Sequence, residues 1–197
     1  MCMGNTPTKT VKFKYPNDLA KLRESVMPKL QELFKVKVSF EGTPVINGTC
    51  SFFNDDGSGK VLQTWPEFRE YIDYIRPAFY DYVDSLGLNK EEAWLRGMWA
   101  NNYVTGAYAK KHSHKLDTEV FGILFYLQKP ENSGDLYIEI PQNELVEEYK
   151  ANIEEGDIII FSSGLVHWTD PNINVKEKIV IGMEITLIPN LPKEQQF

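Results

Sequence analysis

The amino-acid sequence predicts an α+β fold that is mainly β in its C-terminal half, with two amphipathic helices ahead of an antiparallel barrel or sandwich. Three observations carry that expectation. Apolar residues recur at three- and four-residue steps through 19–33 and 68–83, the spacing of one helix face. From residue 99 onward the pattern changes to short β-branched and aromatic runs at 99–104, 121–128, 135–140, 157–161 and 179–187, separated by turn residues. No helical segments alternate with these runs, so the crossovers that a parallel sheet needs are absent.

In the first helix Leu19, Leu22, Val26, Leu30 and Leu33 form one stripe that should pack on a sheet. Asn17 stands where a cap is expected, and Pro28 predicts a kink. The second helix begins at Thr64-Trp65-Pro66-Glu67, where threonine can cap, proline suits the first turn and glutamate can complete a capping box. Phe68, Tyr71, Ile72, Ile75, Phe79 and Val83 form its apolar side, with a kink expected at Pro77 and a stop at Gly87. Between the helices, 36–40 alternates like a strand and 54–59 reads as a turn. The expected organisation is a helical and mixed segment over 1–98 that supports a β core over 99–190, with a tail at 191–197, all in one structural domain.

A chain of 197 residues suffices for one well-packed domain, and 42% hydrophobic with 25% charged residues is ordinary globular composition. No apolar run approaches the roughly 18 residues of a membrane span, so no membrane partner is expected. The first residues lack the basic flank and apolar stretch of a secretory signal, which predicts a cytoplasmic location and reduced thiols at Cys2 and Cys50. The Asn47-Gly48-Thr49 sequon then carries no weight. A net charge of -7 argues against a phosphate backbone as the main partner, so nucleic acid is not expected. Lys110 and Lys111 read either as a solvated loop or as cations that draw an anionic cosubstrate.

The chain has three histidines, and two of them form His112-Ser113-His114. Residues at i and i+2 of an extended segment point to one side, so both imidazoles can reach a single ion. The third, His167, follows the apolar run 157–161 and a turn at Gly164, so a barrel can bring all three to one mouth. Imidazole suits iron, zinc, copper and nickel. The sequence has no Gly-x-Ser-x-Gly elbow, phosphate-binding loop or Cys-x-x-Cys pair to suggest another chemistry.

Further pieces fall in order around the histidines. Tyr103-Val104-Thr105-Gly106 leads into His112-Ser113-His114, and Tyr126-Leu127-Gln128 is followed by Ser133-Gly134. Gly156-Asp157 opens the run before His167, Asp170-Pro171-Asn172 follows it, and Lys178 stands at the head of the last strand. In this order and spacing, over about 99–186, the sequence resembles the prolyl 4-hydroxylase-like branch of the Fe(II)/2-oxoglutarate oxygenases, especially its short bacterial and phage members. The resemblance implies a double-stranded β-helix, a jelly-roll or cupin-like barrel, with N-terminal helices packed on one sheet. It implies a dioxygenase that uses Fe(II), 2-oxoglutarate as cosubstrate and O2 to hydroxylate a substrate, with an amino acid or peptidyl side chain as the suggested class. It further implies that His112 and His167 hold the metal, and that Lys178 and Tyr103 receive the far carboxylate of 2-oxoglutarate, since a buried charge must be paired.

One position departs from that pattern: His114 stands where the family has a carboxylate. A three-histidine site of His112, His114 and His167 is the reading carried forward. The alternatives are a two-histidine site with His114 turned away, or a carboxylate supplied by Asp117 or Glu119. A cupin pattern also fits Gly106, His112, His114, Glu119, Gly156, Gly164 and His167, although Tyr126 and Ser162 stand where it has glycine and proline. A cupin would share the barrel and the metal but need no 2-oxoglutarate. The third class is a non-catalytic barrel that uses its helices as a docking surface.

Overall fold

A computed structural model describes residues 8–35, 44–51, 62–114, 119–142 and 145–197. The expected strand at 36–40, the turn at 54–59 and the candidate ligand Asp117 lie outside the described residues. In chain order the elements are β1 (Val11–Lys14), α1 (Leu19–Lys35), β2 (Val45–Ile46), β3 (Thr49–Cys50), α2 (Pro66–Ser85), β4 (Ala93–Tyr103) and β5 (Tyr108–Ala109). There follow β6 (Val120–Gln128), β7 (Leu136–Gln142), β8 (Leu145–Ala151), β9 (Asp157–Ser162), β10 (His167–Thr169) and β11 (Lys178–Leu187).

The strands make two layers of antiparallel sheet. The larger has the order β1-β9-β6-β11-β4-β3, and the smaller layer consists of β10-β7-β8 and the pair β2-β5. A bridge between His112 and His167 joins these two small sheets. One face of the large sheet, with Phe121, Ile123, Phe125, Ile158, Ile160, Ile181 and Met183, packs against α1 and α2. The other face, with Tyr103, Tyr126, Ile159, Phe161 and Val180, packs against Leu136, Ile138 and Ala151 of the small layer. This is the α+β jelly roll, with helices on one sheet, that the sequence predicts.

The helices form for the reasons their spacing suggests, with different caps. In α1, Leu22, Val26, Leu30 and Phe34 are buried, and Asp18 rather than Asn17 caps: its Oδ1 accepts from Lys21 N at 3.0 Å. In α2, Phe68, Tyr71, Ile72, Ile75, Phe79, Tyr82 and Val83 are buried, and Pro66 takes the first turn. Trp65 occupies the cap position without a side-chain bond, while Glu67 is drawn away from a capping box into an ion pair with Lys29 of α1. Gly87 ends the helix with φ 70°, a conformation that glycine adopts without cost.

The large layer also recruits chain from outside 99–190. β4 starts at Ala93, β1 pairs with β9, and Phe197 packs edge-on to Phe79 at 5.7 Å. Strand β8 escapes a reading by periodicity because it is an edge strand exposed from Leu145 through Glu148, with no apolar alternation. Among the described residues no helix is long and apolar enough to cross a membrane.

Candidate metal centre and its cavity

Backbone pairing brings the three histidines together. His112 N donates to His167 O at 3.1 Å and His167 N to His112 O at 2.8 Å, so the two face each other as a hydrogen-bonded antiparallel pair with side chains on one side. Two residues on, His114 N donates to Ser163 O at 2.8 Å, which ties the same segment to the end of β9. The ring centroids lie 4.2 Å (His112 to His167), 5.2 Å (His112 to His114) and 5.3 Å (His114 to His167) apart. Phe161 packs edge-on against the His167 ring at 5.0 Å and limits its rotation.

Each imidazole has one nitrogen engaged. His112 Nδ1 meets the carbonyl of Lys110 at 2.7 Å, His167 Nδ1 meets that of Leu165 at 2.9 Å, and His114 Nδ1 meets Oε1 of Glu184. A carbonyl can only accept, so Nδ1 of His112 and His167 carries the proton and Nε2 keeps its lone pair, the arrangement common to metal-binding histidines. One ligand atom from each ring lies within 4.8 Å of the others, and this is the group of potential ligands found among the described residues. Two metal–nitrogen bonds of roughly 2.1 Å span up to about 4.2 Å, so small side-chain movements close the site. Glu119 lies outside the cluster; its described contacts run through its backbone carbonyl, to Leu187 N and Thr186 Oγ1.

Burial favours the neutral imidazoles that a metal requires. It pushes His167 down to about 3, with His112 adding repulsion, and it lowers His112 in spite of the Lys110 carbonyl. The donor set therefore fits a borderline transition-metal ion.

The histidines open into a cavity of about 240 Å³ between the layers. Gly122 stands in its wall, where an added Cβ would meet the Phe161 ring at 3.3 Å. The indole of Trp99 lies so near Gly182 that a Cβ there would come within 2.6 Å of the ring. Asn101 and Ser163 also line the cavity, and Asn101 Oδ1 and Ser163 Oγ are buried without a hydrogen-bond partner among the described residues, a polar capacity that a bound molecule can satisfy.

Tyr103 lines the cavity, while Lys178 stands behind it with its ammonium 4.6 Å from the Tyr103 ring centre. Lys178 is fully buried, and its Nζ donates to the carbonyl of Gly134 at 3.1 Å. Gly134 has φ +85° and would set a Cβ within 2.1 Å of Asp170 O, so this close turn requires glycine. Burial pushes the Lys178 ammonium down to about 7, and Lys129 adds to the shift. The nearby carboxylates are engaged elsewhere: Asp135 with Lys129 and Lys150, and Asp170 with the Tyr137 hydroxyl. Lys111, at the mouth, pairs with Glu139 and lies 4.3 Å over Trp168, which removes it from a purely solvated role.

Sequence reasoning missed Glu184 and Arg96. Glu184 shares the cavity wall, its carboxylate only 5% exposed, and its Oε2 accepts from Arg96 Nη1 at 2.8 Å. The single charged residue inside the run 179–187, at even spacing from Lys178, was the available signal.

A double-layered antiparallel barrel with a histidine cluster at its mouth defines a class of protein by its architecture. Solved structures of that architecture superpose on most of this chain. A prolyl-4-hydroxylase from Pseudomonas putida has a TM-score of 0.61 at 12% identity, with 90% of this chain and 91% of that one covered. The viral collagen prolyl hydroxylase of Paramecium Bursaria Chlorella virus-1, solved as a 2-oxoglutarate complex, has a TM-score of 0.56 at 17% identity over 95% and 99%. HygX from Streptomyces hygroscopicus, solved with nickel and 2-oxoglutarate, has a TM-score of 0.65 at 11% identity over 92% and 84%. The fold is thus that of the prolyl-4-hydroxylase-like and other 2-oxoglutarate Fe(II) oxygenase structures. No family model matches the chain. No curated protein matches it either.

Proposed function

We propose that this protein is an Fe(II)- and 2-oxoglutarate-dependent dioxygenase that hydroxylates an amino acid or peptidyl side chain, with His112, His114 and His167 as the iron ligands. The convergence of three imidazoles, each with Nδ1 already engaged, is the observation that carries the reading. Iron bound there supplies the activation of O2 that is coupled to decarboxylation of 2-oxoglutarate. The chain's own residues do the rest. His112 and His167 are fixed by carbonyls of their own segments, so little order has to be gained on loading. Lys178 is fully buried, with the Gly134 carbonyl and the Tyr103 ring face as its near contacts among the described residues, and the far carboxylate of 2-oxoglutarate would complete its pairing once the Tyr103 side chain, which lines the cavity, lets it reach the ammonium. Trp99, Leu124 and Phe161 keep bulk water from the walls, while Asn101 and Ser163 offer polar contacts to substrate or cosubstrate.

The test is anaerobic addition of Fe(II) and then of 2-oxoglutarate, followed by visible absorption. A charge-transfer band that grows only after the second addition is expected. Tight metal binding with no band and no 2-oxoglutarate affinity would replace this reading by that of a cupin with the same histidines.

A further inference from the structure

The three histidines are not anchored alike. His112 and His167 lean on main-chain carbonyls two residues before them, neutral acceptors supplied by the local turn. His114 leans instead on the carboxylate of Glu184, which arrives from β11, 70 positions away in the chain. That carboxylate is 5% exposed and its second oxygen accepts from Arg96, which is itself partly exposed. A buried carboxylate is expensive to keep in a barrel wall, and a structural pair with Arg96 would not require its other oxygen to face an imidazole. Pairing makes room for it as well: Glu184 lies opposite Gly122 of β6, where no side chain competes.

We propose that Glu184, oriented by Arg96, is a positioning residue for the metal: it holds His114 Nδ1 as a charged acceptor, aims Nε2 at the other two rings, and places next to the site a negative charge that an all-imidazole ligand set lacks. The inference rests on the metal-centre reading above. Charge-assisted bonds to a ligating imidazole fix its tautomer and raise its basicity, and loss of such a partner typically costs 10–100-fold in metal affinity. Arg96 acts one step further out, by keeping Oε1 turned toward His114.

The test is titration of the purified protein with Co(II), read by visible absorption, for the parent, Glu184→Gln, Glu184→Ala, His114→Ala and the double variant Glu184→Ala/His114→Ala, with circular dichroism as the check on folding. Glu184→Ala is expected to weaken Co(II) binding about 10–100-fold and to shift the absorption bands. Glu184→Gln, nearly isosteric and still an acceptor, is expected to fall between it and the parent, which separates charge from shape if the alanine variant unfolds. In the His114→Ala background, removal of Glu184 should cause no further loss. Parent-like affinity and spectra in both Glu184 variants, or an equal loss with and without His114, would overturn the inference while the metal centre stood. A parent protein that takes up no Co(II) would overturn both.

Discussion

Strand β11 meets two different environments through alternate residues. Ile179, Ile181, Met183 and Ile185 belong to the apolar core that packs on the helices, with Met183 also bordering the cavity, whereas Val180 packs against the small layer and Glu184 lines the cavity. The helix side is filled, with Tyr71 and Phe125 stacked at 4.8 Å and Phe79 and Phe121 edge-to-face at 5.7 Å. The cavity side contains a buried lysine, a buried carboxylate and a glycine overlain by tryptophan. One strand therefore serves both sides: Ile179, Ile181 and Ile185 pack the helix-facing core, and Glu184 stands in the cavity wall. Alternation at period two allows both without a conflict of register.

Three substitutions probe that division, in descending order of expected effect. His167→Ala, on the cavity side of the molecule, should reduce Co(II) or Fe(II) affinity by at least about 100-fold, roughly 2.7 kcal/mol, with the fold retained. Metal titration beside circular dichroism measures this, and unchanged affinity would remove His167 from the site.

Ile181→Ala should do the reverse. Loss of a fully buried side chain from the helix-facing core should lower stability by about 2–5 kcal/mol in urea unfolding and leave metal affinity unaltered. A change in metal binding without a change in stability would break the two-sided picture.

Lys178→Ala should weaken 2-oxoglutarate binding by an amount on the order of 2–4 kcal/mol and leave the metal in place. The sign with pH follows from burial. Lys178 loses its proton at about 7 in the folded chain against 10.5 when exposed, so between these values the unfolded chain binds more protons and stability rises with pH. An anionic ligand favours the charged ammonium, so above that lower value 2-oxoglutarate should bind with proton uptake and more weakly as pH rises. Calorimetry in buffers of different ionisation enthalpy detects that uptake, and the lysine variant should lack it. Parent-like affinity in Lys178→Ala would favour the cupin reading.

Much of this arrangement was legible in the sequence where its physics is local. The stripes of α1 and α2, the strand run at 179–187 and the i, i+2 spacing of His112 and His114 follow from local backbone pattern, which depends only on near neighbours. The sequence also marked His167 and Lys178 as polar positions at the ends of buried runs. Capping was less legible, because Asp18, Asn17 and Glu67 chose among partners that include residues of the other helix and of the loops.

The residues by themselves determined the α+β layering and singled out the three histidines that the structure brings together, since helical and strand periods sort apolar from polar positions before any long-range contact forms. Tertiary structure alone decided that the His112 to His167 bridge joins two small sheets, that β8 forms as an exposed edge, and that Lys178 stands behind Tyr103 rather than in the open cavity. It also decided the partner of His114. That bond joins residues 70 positions apart, and whether a carboxylate on β11 meets an imidazole beyond β5 depends on the register and twist of the intervening sheet, which no short window of sequence contains.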